Sequence, residues 1–250
     1  MPRYFMQLSY CGAPYHGWQR QPNACSVQQT IEEALTTVLR TETPIVGAGR
    51  TDTGVNARMM MAHFDTAAPI ENYESLLRSL NTLVGRDIAI GRIIPVHDDA
   101  HARFDATSRT YHYYALPEKS PFFYRLAWQA PRNLDYAMMN QAARLLLETD
   151  DFTSFAKLHT DVKTNICNVT HACWHEIPGS GAYVFVITAD RFLRNMVRAV
   201  VGTLVDVGRH KITVDDFARI IDRRDRCSAG TSMPAQALYL WDVTYPYIKP

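Results

Sequence analysis

Gly47-Ala48-Gly49-Arg50-Thr51-Asp52-Thr53-Gly54 lies between two short apolar runs and sets an arginine and an aspartate among three glycines. Glycine permits tight turns and close backbone approach to a ligand, so such a loop can present a carboxylate to a substrate. Held in that way, Asp52 could serve as a nucleophile or as an acid–base group. A hairpin turn with a surface ion pair uses the same residue types, and the local sequence leaves both readings open. Asp52-Thr53-Gly54 is also the tripeptide of aspartic proteases, which need two such aspartates sharing one proton. The chain holds no second Asp-Thr-Gly or Asp-Ser-Gly. In a symmetric dimer, Arg50 beside Asp52 would still oppose the shared proton.

Two further segments carry charge in a pattern that suits a nucleic acid. Residues 103–114, Arg-Phe-Asp-Ala-Thr-Ser-Arg-Thr-Tyr-His-Tyr-Tyr, interleave basic and aromatic groups. On a strand, Arg109, Tyr111 and Tyr113 share one face, which suits stacking on bases and contact with phosphates, or an ordinary aromatic sheet face. In Asp190-Arg191-Phe192-Leu193-Arg194-Asn195-Met196-Val197-Arg198, a helix would bring Arg191, Arg194 and Arg198 within about 60° of one another. Leu193, Met196, Val197, Val200 and Leu204 would then take the opposite side. A solvated basic face and a binding face look alike at this level, although no acidic partner stands among the three arginines.

Cys167, His171, Cys173 and His175 suggest a metal site by type. On one strand, however, the first and last lie roughly 27 Å apart, so the four cannot meet around one ion. No metal is expected there. The five cysteines are scattered with no Cys-x-x-Cys pair, which reads as reduced thiols.

The whole chain sets broad limits. Its 250 residues, 47% hydrophobic and 20% charged, fit one large globular domain or two smaller ones. Apolar stretches such as 199–205 are too short to span a bilayer, and the first residues alternate like a strand. A soluble, cytoplasmic protein is expected. Net charge is only +1, but 21 of the 26 basic residues are arginine, whose planar fork suits phosphates and bases.

The elements that must position these residues follow from periodicity. Tyr4, Met6, Leu8 and Tyr10 alternate as a strand. Ser26-x-x-Gln29 opens a helix with Val27, Ile31, Ala34, Leu35 and Val38 on one face. Extended runs at 44–48 and 58–65 flank the glycine-rich loop. A second helix is predicted over 72–84, with Tyr73, Leu76, Leu77, Leu80 and Leu83 inward, and a strand through Ile88, Ile90 and Ile94. The order β-α-β-β-α-β is the split unit that gives an antiparallel sheet with helices on one side. The second half repeats the plan with strands at 109–116, 164–177, 182–188 and 237–245, and helices at 134–147, 191–206 and 213–223. An α+β fold of two related halves, 1–106 and 107–250, with a cleft between them, is the expectation.

Taken together, these segments resemble the tRNA pseudouridine synthase A family over nearly the whole chain. Tyr15-His16-Gly17-Trp18-Gln19-Arg20-Gln21-Pro22 with Ser26-Val27-Gln28 resembles the family's opening signature, and Gly49 to Val55 its catalytic motif. His101-Ala102-Arg103-Phe104 with Ser108-Arg109-Thr110-Tyr111 resembles its substrate-side tyrosine segment. Phe192 to Arg198 with Val201-Gly202-Thr203-Leu204 is similar to its arginine helix. Arg226, Ala229-Gly230, Pro234-Ala235 and Leu238-Tyr239-Leu240 match its C-terminal block.

The resemblance implies two ferredoxin-like halves around a central mixed or antiparallel sheet with a basic cleft, and a homodimer. It implies isomerisation of uridine to pseudouridine at positions 38, 39 and 40 of the tRNA anticodon stem-loop, with neither cofactor nor metal. Asp52 would be the nucleophile. Tyr111 would stack on the uracil, Arg50 would hold the target nucleotide out of its stack, and Arg198 would be the buried partner of Asp52. Arg20, Arg109, Arg191 and Arg194 are further candidates for contact with RNA. Thr53, Asn56, Asn165, Ala237 and Thr149-Asp150 depart from the family pattern, but none replaces Asp52, Tyr111 or Arg198. Two rival readings remain on the sequence: an RNA-binding module without chemistry, against which intact Asp52 and Tyr111 speak, and an N-glycosidase. The second would need a water-activating group beside Asp52, and none is identifiable in these motifs.

Overall fold

The computed structural model describes residues 1–157 and 164–248. The chain divides into two compact units, one of residues 1–107 with 240–250 and one of residues 108–239.

In the first unit, strand β1 (Arg3–Tyr10) is the middle of a layer ordered β4-β1-β3, with β3 at Asn56–Asp65 and β4 at Ile88–Val96. Both neighbours run antiparallel to it, and the two-residue β2 (Val46–Gly47) lies along the end of β3. Helices α1 (Val27–Leu39) and α2 (Tyr73–Leu83) supply the rest of the core. The alternation of β1 does what the sequence promised: Tyr4, Met6, Leu8 and Tyr10 are all buried. Ser26 caps α1 by accepting from the Gln29 amide, and Asn72 caps α2 by accepting from the Ser75 amide. Leu76 and Leu80 of α2 are buried, whereas Leu83, expected inward, is exposed because the helix stops there.

The opposite side of β1 is covered by the end of the chain. Phe5 meets the rings of Tyr245 and Tyr247 edge-on and packs beside His63. Beside them Arg3 forks onto Asp65 with two bonds of 2.8 Å, an arrangement that holds the Asp65 carboxyl below its ordinary range. His63 accepts from the Ala102 amide through Nδ1, and burial drives its pKa down to about 4.

In the second unit, β5 (Ser108–Leu116), β8 (Ala182–Ala189) and β7 (Val169–Ile177) are antiparallel neighbours in that order, with the short β6 (Trp128–Gln129) parallel to β5. Helix α3 (Tyr136–Arg144) packs on β7, and α4 (Met196–Gly208) and α5 (Val214–Arg223) pack on α3 and on each other. α4 is buried nearly all round, as its apolar composition requires. A full capping box, Thr213 with Asp216, opens α5. Strand β9 (Leu238–Thr244) begins in this unit and ends in the first.

Both units therefore mix helix and strand, as expected of an α+β chain. Two element boundaries differ from the sequence reading by five residues. β7 begins at Val169 rather than 164, because Ile166 instead makes an isolated bridge to Asp151. α4 begins at Met196 rather than 191, for reasons that bear on the site.

Candidate active site

Asp52 sits half-buried in the loop between β2 and β3, and the loop that follows β1 grips its neighbours on both sides. The Trp18 amide donates to the Thr51 carbonyl at 3.1 Å, and the Tyr10 and Thr51 hydroxyls share a buried bond of 2.8 Å. After Asp52, the Val55 amide returns to the Asp52 carbonyl at 3.1 Å, closing a turn in which Gly54 has φ 78°. The Gly12 amide then donates to the buried Oδ1 of Asn56 at 2.8 Å. The carboxylate thus leaves a backbone that is hydrogen-bonded at the residues flanking it.

Small residues make this lamination possible. A Cβ on Gly12 would lie 2.2 Å from the Val55 carbonyl oxygen, and one on Gly17 would lie 2.5 Å from that of Thr51. Gly17 also has φ 91°, a conformation that other residues rarely adopt. Trp18 seals the base of the loop, its indole so near Gly47 that a Cβ there would come within 2.6 Å. The sequence reading took the glycines of the Asp52 loop as its key signal. It missed that Gly12, Gly17 and Tyr10 of the preceding segment form the other half of the mount. Their proximity is a tertiary fact, and the only hint was Gly17-Trp18 within the opening signature. Asn56, a departure from the family pattern, is one of the gripping residues.

Arg50 stands exposed two residues before Asp52. Arg20 belongs to the gripping segment, and its Nη1 lies 3.3 Å from Oε2 of Glu32. Glu32 itself is buried and also accepts from Gln28 and from the Ile45 amide, which ties this segment to α1.

The remaining candidates lie in the second unit. Tyr111 occupies β5 opposite Ile187 of β8, half-buried, with its ring edge-on to Phe192 at 5.0 Å. Arg109, on the same strand face, donates from Nη1 to the Asp190 carbonyl at 2.7 Å. Tyr113 shares that face but is fully buried, so it is a core ring and not the exposed stacking surface that the alternation suggested. Arg198 lies in the first turn of α4, and its Nε donates to the Met233 carbonyl at 2.5 Å.

The common helical face of Arg191, Arg194 and Arg198 does not exist. Asn195 takes the left-handed conformation at φ 67°, which ends any helix arriving from Arg191. Asp190 Oδ1 accepts from the Arg191 and Asn168 amides, which holds the segment in a different path. Arg191 reaches the Thr164 carbonyl at 3.4 Å, and Arg194 is exposed while its carbonyl accepts from the Lys157 amide. Only Arg198 rides on α4. Among the described residues, no group of three or more His, Cys, Asp or Glu is placed to hold a metal ion. His171, Cys173 and His175 lie along β7, and Cys167 lies before it.

The other departures from the family pattern are accounted for locally. Asn165 donates from Nδ2 to Thr153 Oγ1, and Asp151 accepts from both the amide and the hydroxyl of Thr153. Ala237 is buried at the turn that enters β9.

Comparison with known proteins decides what this loop and these strands belong to. A family model described as tRNA pseudouridine synthase matches residues 142–246. A tRNA pseudouridine synthase A of Parabacteroides distasonis is 55% identical over 246 residues, 98% of this chain and 97% of the relative. That of Porphyromonas gingivalis is 56% identical over 248 residues, 98% of each chain. That of Bacteroides thetaiotaomicron is 53% identical over 247 residues, 98% of this chain and 91% of the relative. The chain belongs to the tRNA pseudouridine synthase A family. It is therefore an enzyme of the isomerase class. No helix among the described residues is long and apolar enough to cross a membrane.

For a tRNA pseudouridine synthase the clamped Asp52 loop has a clear physical sense. A reacting side chain benefits from a fixed backbone, since misplacement by about 1 Å can cost a hundredfold in rate. Tyr111 offers an aromatic face carried on a strand, and Arg198 a cation in the first turn of a buried helix.

Proposed function

We propose that this chain converts uridine to pseudouridine in the anticodon stem-loop of tRNA, at positions 38, 39 and 40, with Asp52 as the nucleophile. The observation that carries the reading is the gripping of Thr51 and Asn56, on either side of Asp52, by the end of β1 and the loop after it, in a chain whose family makes pseudouridine in tRNA. The carboxylate attacks C6 of the uracil or C1′ of the ribose. The bond from N1 to C1′ breaks, the base turns within the pocket, and C5 bonds to C1′. The proton leaves C5 and N1 gains one, so atoms and oxidation state balance without a redox partner. No metal or cofactor enters this scheme.

The other residues take supporting roles toward the same nucleotide. Tyr111 stacks on the uracil and helps to remove the C5 proton, and Arg198 binds the reacting nucleotide. Arg50 holds it out of its stack, a step that costs a few kcal/mol. Arg20, Arg109, Arg191 and Arg194 contact the RNA backbone, where phosphate binding gives affinity without sequence choice. The active form is a cytoplasmic homodimer, each chain folded as two ferredoxin-like halves, 1–106 and 107–250, with a basic cleft.

The test is release of tritium from tRNA labelled at C5 of uridine, since forming the new bond at C5 must expel that hydrogen. Release with wild type, restricted to the anticodon stem-loop, supports the reading. Free uracil without pseudouridine would instead mark an N-glycosidase and overturn it.

A further inference from the structure

On the sheet face of the first unit opposite Tyr4, Met6, Leu8 and Tyr10 lies a cavity of about 470 Å³, lined by Gln7, Arg58, Met59, Gly91, Arg92 and Asp242. Two irregularities of register shape it. On β3, Met60 pairs with Leu8 and Ala57 with Tyr10, so Arg58 and Met59 both stand opposite Ser9. On β4, Ile90 pairs with Leu8 and Arg92 with Gln7, which leaves Gly91 as an extra residue. Bulges of this kind re-aim side chains and are common beside active sites. Under plain alternation Arg58 would share the face of Met60, which is fully buried. The extra residue turns it to the other face, where it is exposed.

The setting of Arg58 prepares it for an anion. Its guanidinium lies over the Trp241 ring, 4.7 Å from the centroid. Asp242 lines the same cavity, yet Arg58 forms no salt bridge with it among the described residues. A guanidinium stacked on an indole keeps its N–H donors at the edge of its plane, where they can fork onto a phosphate. Beside it, Arg92 is steadied by the bond from its Nε to Gln7 Oε1 at 2.6 Å. Both cations are ordered before a ligand arrives, which lowers the cost of binding one. Two arginines against one carboxylate leave the cavity positive. Arg58 follows Asp52 by six residues, at most about 20 Å of extended chain.

We propose that this cavity is a phosphate site, in which Arg58, held flat on Trp241 and flanked by Arg92, binds a backbone phosphate of the tRNA whose uridine reaches Asp52. The inference rests on the proposed reaction at Asp52 and adds to it a contact apart from the other arginines. Asp242 opposes the anion and moderates its binding, so the two charges of the cavity act in opposite directions on affinity.

The experiment measures equilibrium binding of unmodified tRNA over a range of salt for wild type, Arg58→Gln, Arg58→Lys and Asp242→Asn. Arg78→Gln, on the exposed side of α2, serves as the control. Arg58→Gln is expected to weaken binding about tenfold at low salt and to lower the slope of log affinity against log salt by about one. Arg58→Lys keeps the charge and therefore the slope, with a smaller loss of affinity. Asp242→Asn is expected to tighten binding several-fold, and Arg78→Gln to change neither affinity nor slope. An Arg58→Gln affinity within about twofold of wild type overturns the proposal, and is also what a site for free inorganic phosphate would give. Weaker binding with an unchanged slope overturns it as well, since the lost contact would then be to a base or a ribose. So does an equal effect of Arg78→Gln, which would mark a general loss of surface charge. Failure of the wider functional reading is separable, because it would appear as no tritium release by wild type, whereas this test reads binding alone.

Discussion

The Tyr10 hydroxyl meets the Thr51 hydroxyl at 2.8 Å in a buried bond, which joins the last residue of β1 to the residue just before Asp52. The Asp52 loop is therefore mounted on the central strand of its own unit rather than hung from its two ends. Tyr10→Phe removes this link and leaves the buried Thr51 without it. The expected cost is about 1–2 kcal/mol of stability. Turnover should fall several-fold while tRNA affinity stays near wild type. Thr51→Val should behave alike, and the double variant should cost less than the sum of the two. Strict additivity in melting and rate would show that the two hydroxyls do not act on each other.

The glycines of the two facing loops are not equivalent. Gly17 combines φ 91° with a Cβ position 2.5 Å from a backbone oxygen, whereas a Cβ on Gly49 would meet nothing within 4 Å. Gly17→Ala is expected to destabilise by on the order of 3 kcal/mol, since backbone atoms must shift. Gly49→Ala should leave the melting temperature nearly unchanged. Equal melting of the two variants would refute the account of the loop as a close lamination.

Asp52 has no substitute in the proposed chemistry. Asp52→Asn keeps the shape and the turn but removes the nucleophilic oxygen charge, so tritium release should fall below a few per cent of wild type. RNA binding, assigned in the proposal to arginines elsewhere, should persist. A variant that retains more activity than that would remove Asp52 from the nucleophile's role.

The sequence exposed those parts of the fold that rest on local pattern. The alternation of β1, the Ser26 cap of α1 and the Thr213 start of α5 are each written within a few residues, so each element was found nearly to its ends. What stayed hidden depends on residues distant in sequence. Gly12 against Val55, Gly17 against Thr51 and Tyr10 with Thr51 are contacts across about 40 residues, and no periodicity announces them. The segment 191–195 failed in another way. Its helical spacing of arginines was real, but one left-handed residue at Asn195, together with the side chain of Asp190, overrides spacing. Tyr111 and Tyr113 show the limit of alternation: one face was read correctly, yet along that face exposure runs from half-buried to none.

Asn195 then becomes a test of why α4 starts where it does. Its backbone is left-handed, and its Nδ2 donates to Ser232 Oγ at 2.6 Å. Asn195→Ala loses the bond and strains the backbone, at a cost of about 2–3 kcal/mol. Asn195→Gly loses only the bond, at about 1 kcal/mol. The order of stability should be wild type, then Gly, then Ala. Should Ala prove as stable as Gly, the left-handed residue is not what begins the helix.

His63 predicts how the fold answers to acid. Buried beneath Phe5 and accepting from the Ala102 amide, it titrates near 4 when folded, against an ordinary 6.5. Between those values the unfolded chain holds the extra proton and the folded chain does not, so lowering the pH favours unfolding. Stability should be full above about pH 6.5 and decline by on the order of 2–3 kcal/mol as pH falls to about 4. His101, whose ring lies 4.7 Å from that of His63, is shifted downward by burial as well and adds to the same slope. Asp65, held low chiefly by its bonds to Arg3, acts with the same sign but only as pH falls below the ordinary carboxylate range. His63→Gln keeps an acceptor for Ala102 and removes the titration. Urea midpoints for that variant should change much less between pH 6.5 and pH 4.5 than those of wild type. If both proteins show the same slope, the buried imidazole is not the source of the acid sensitivity.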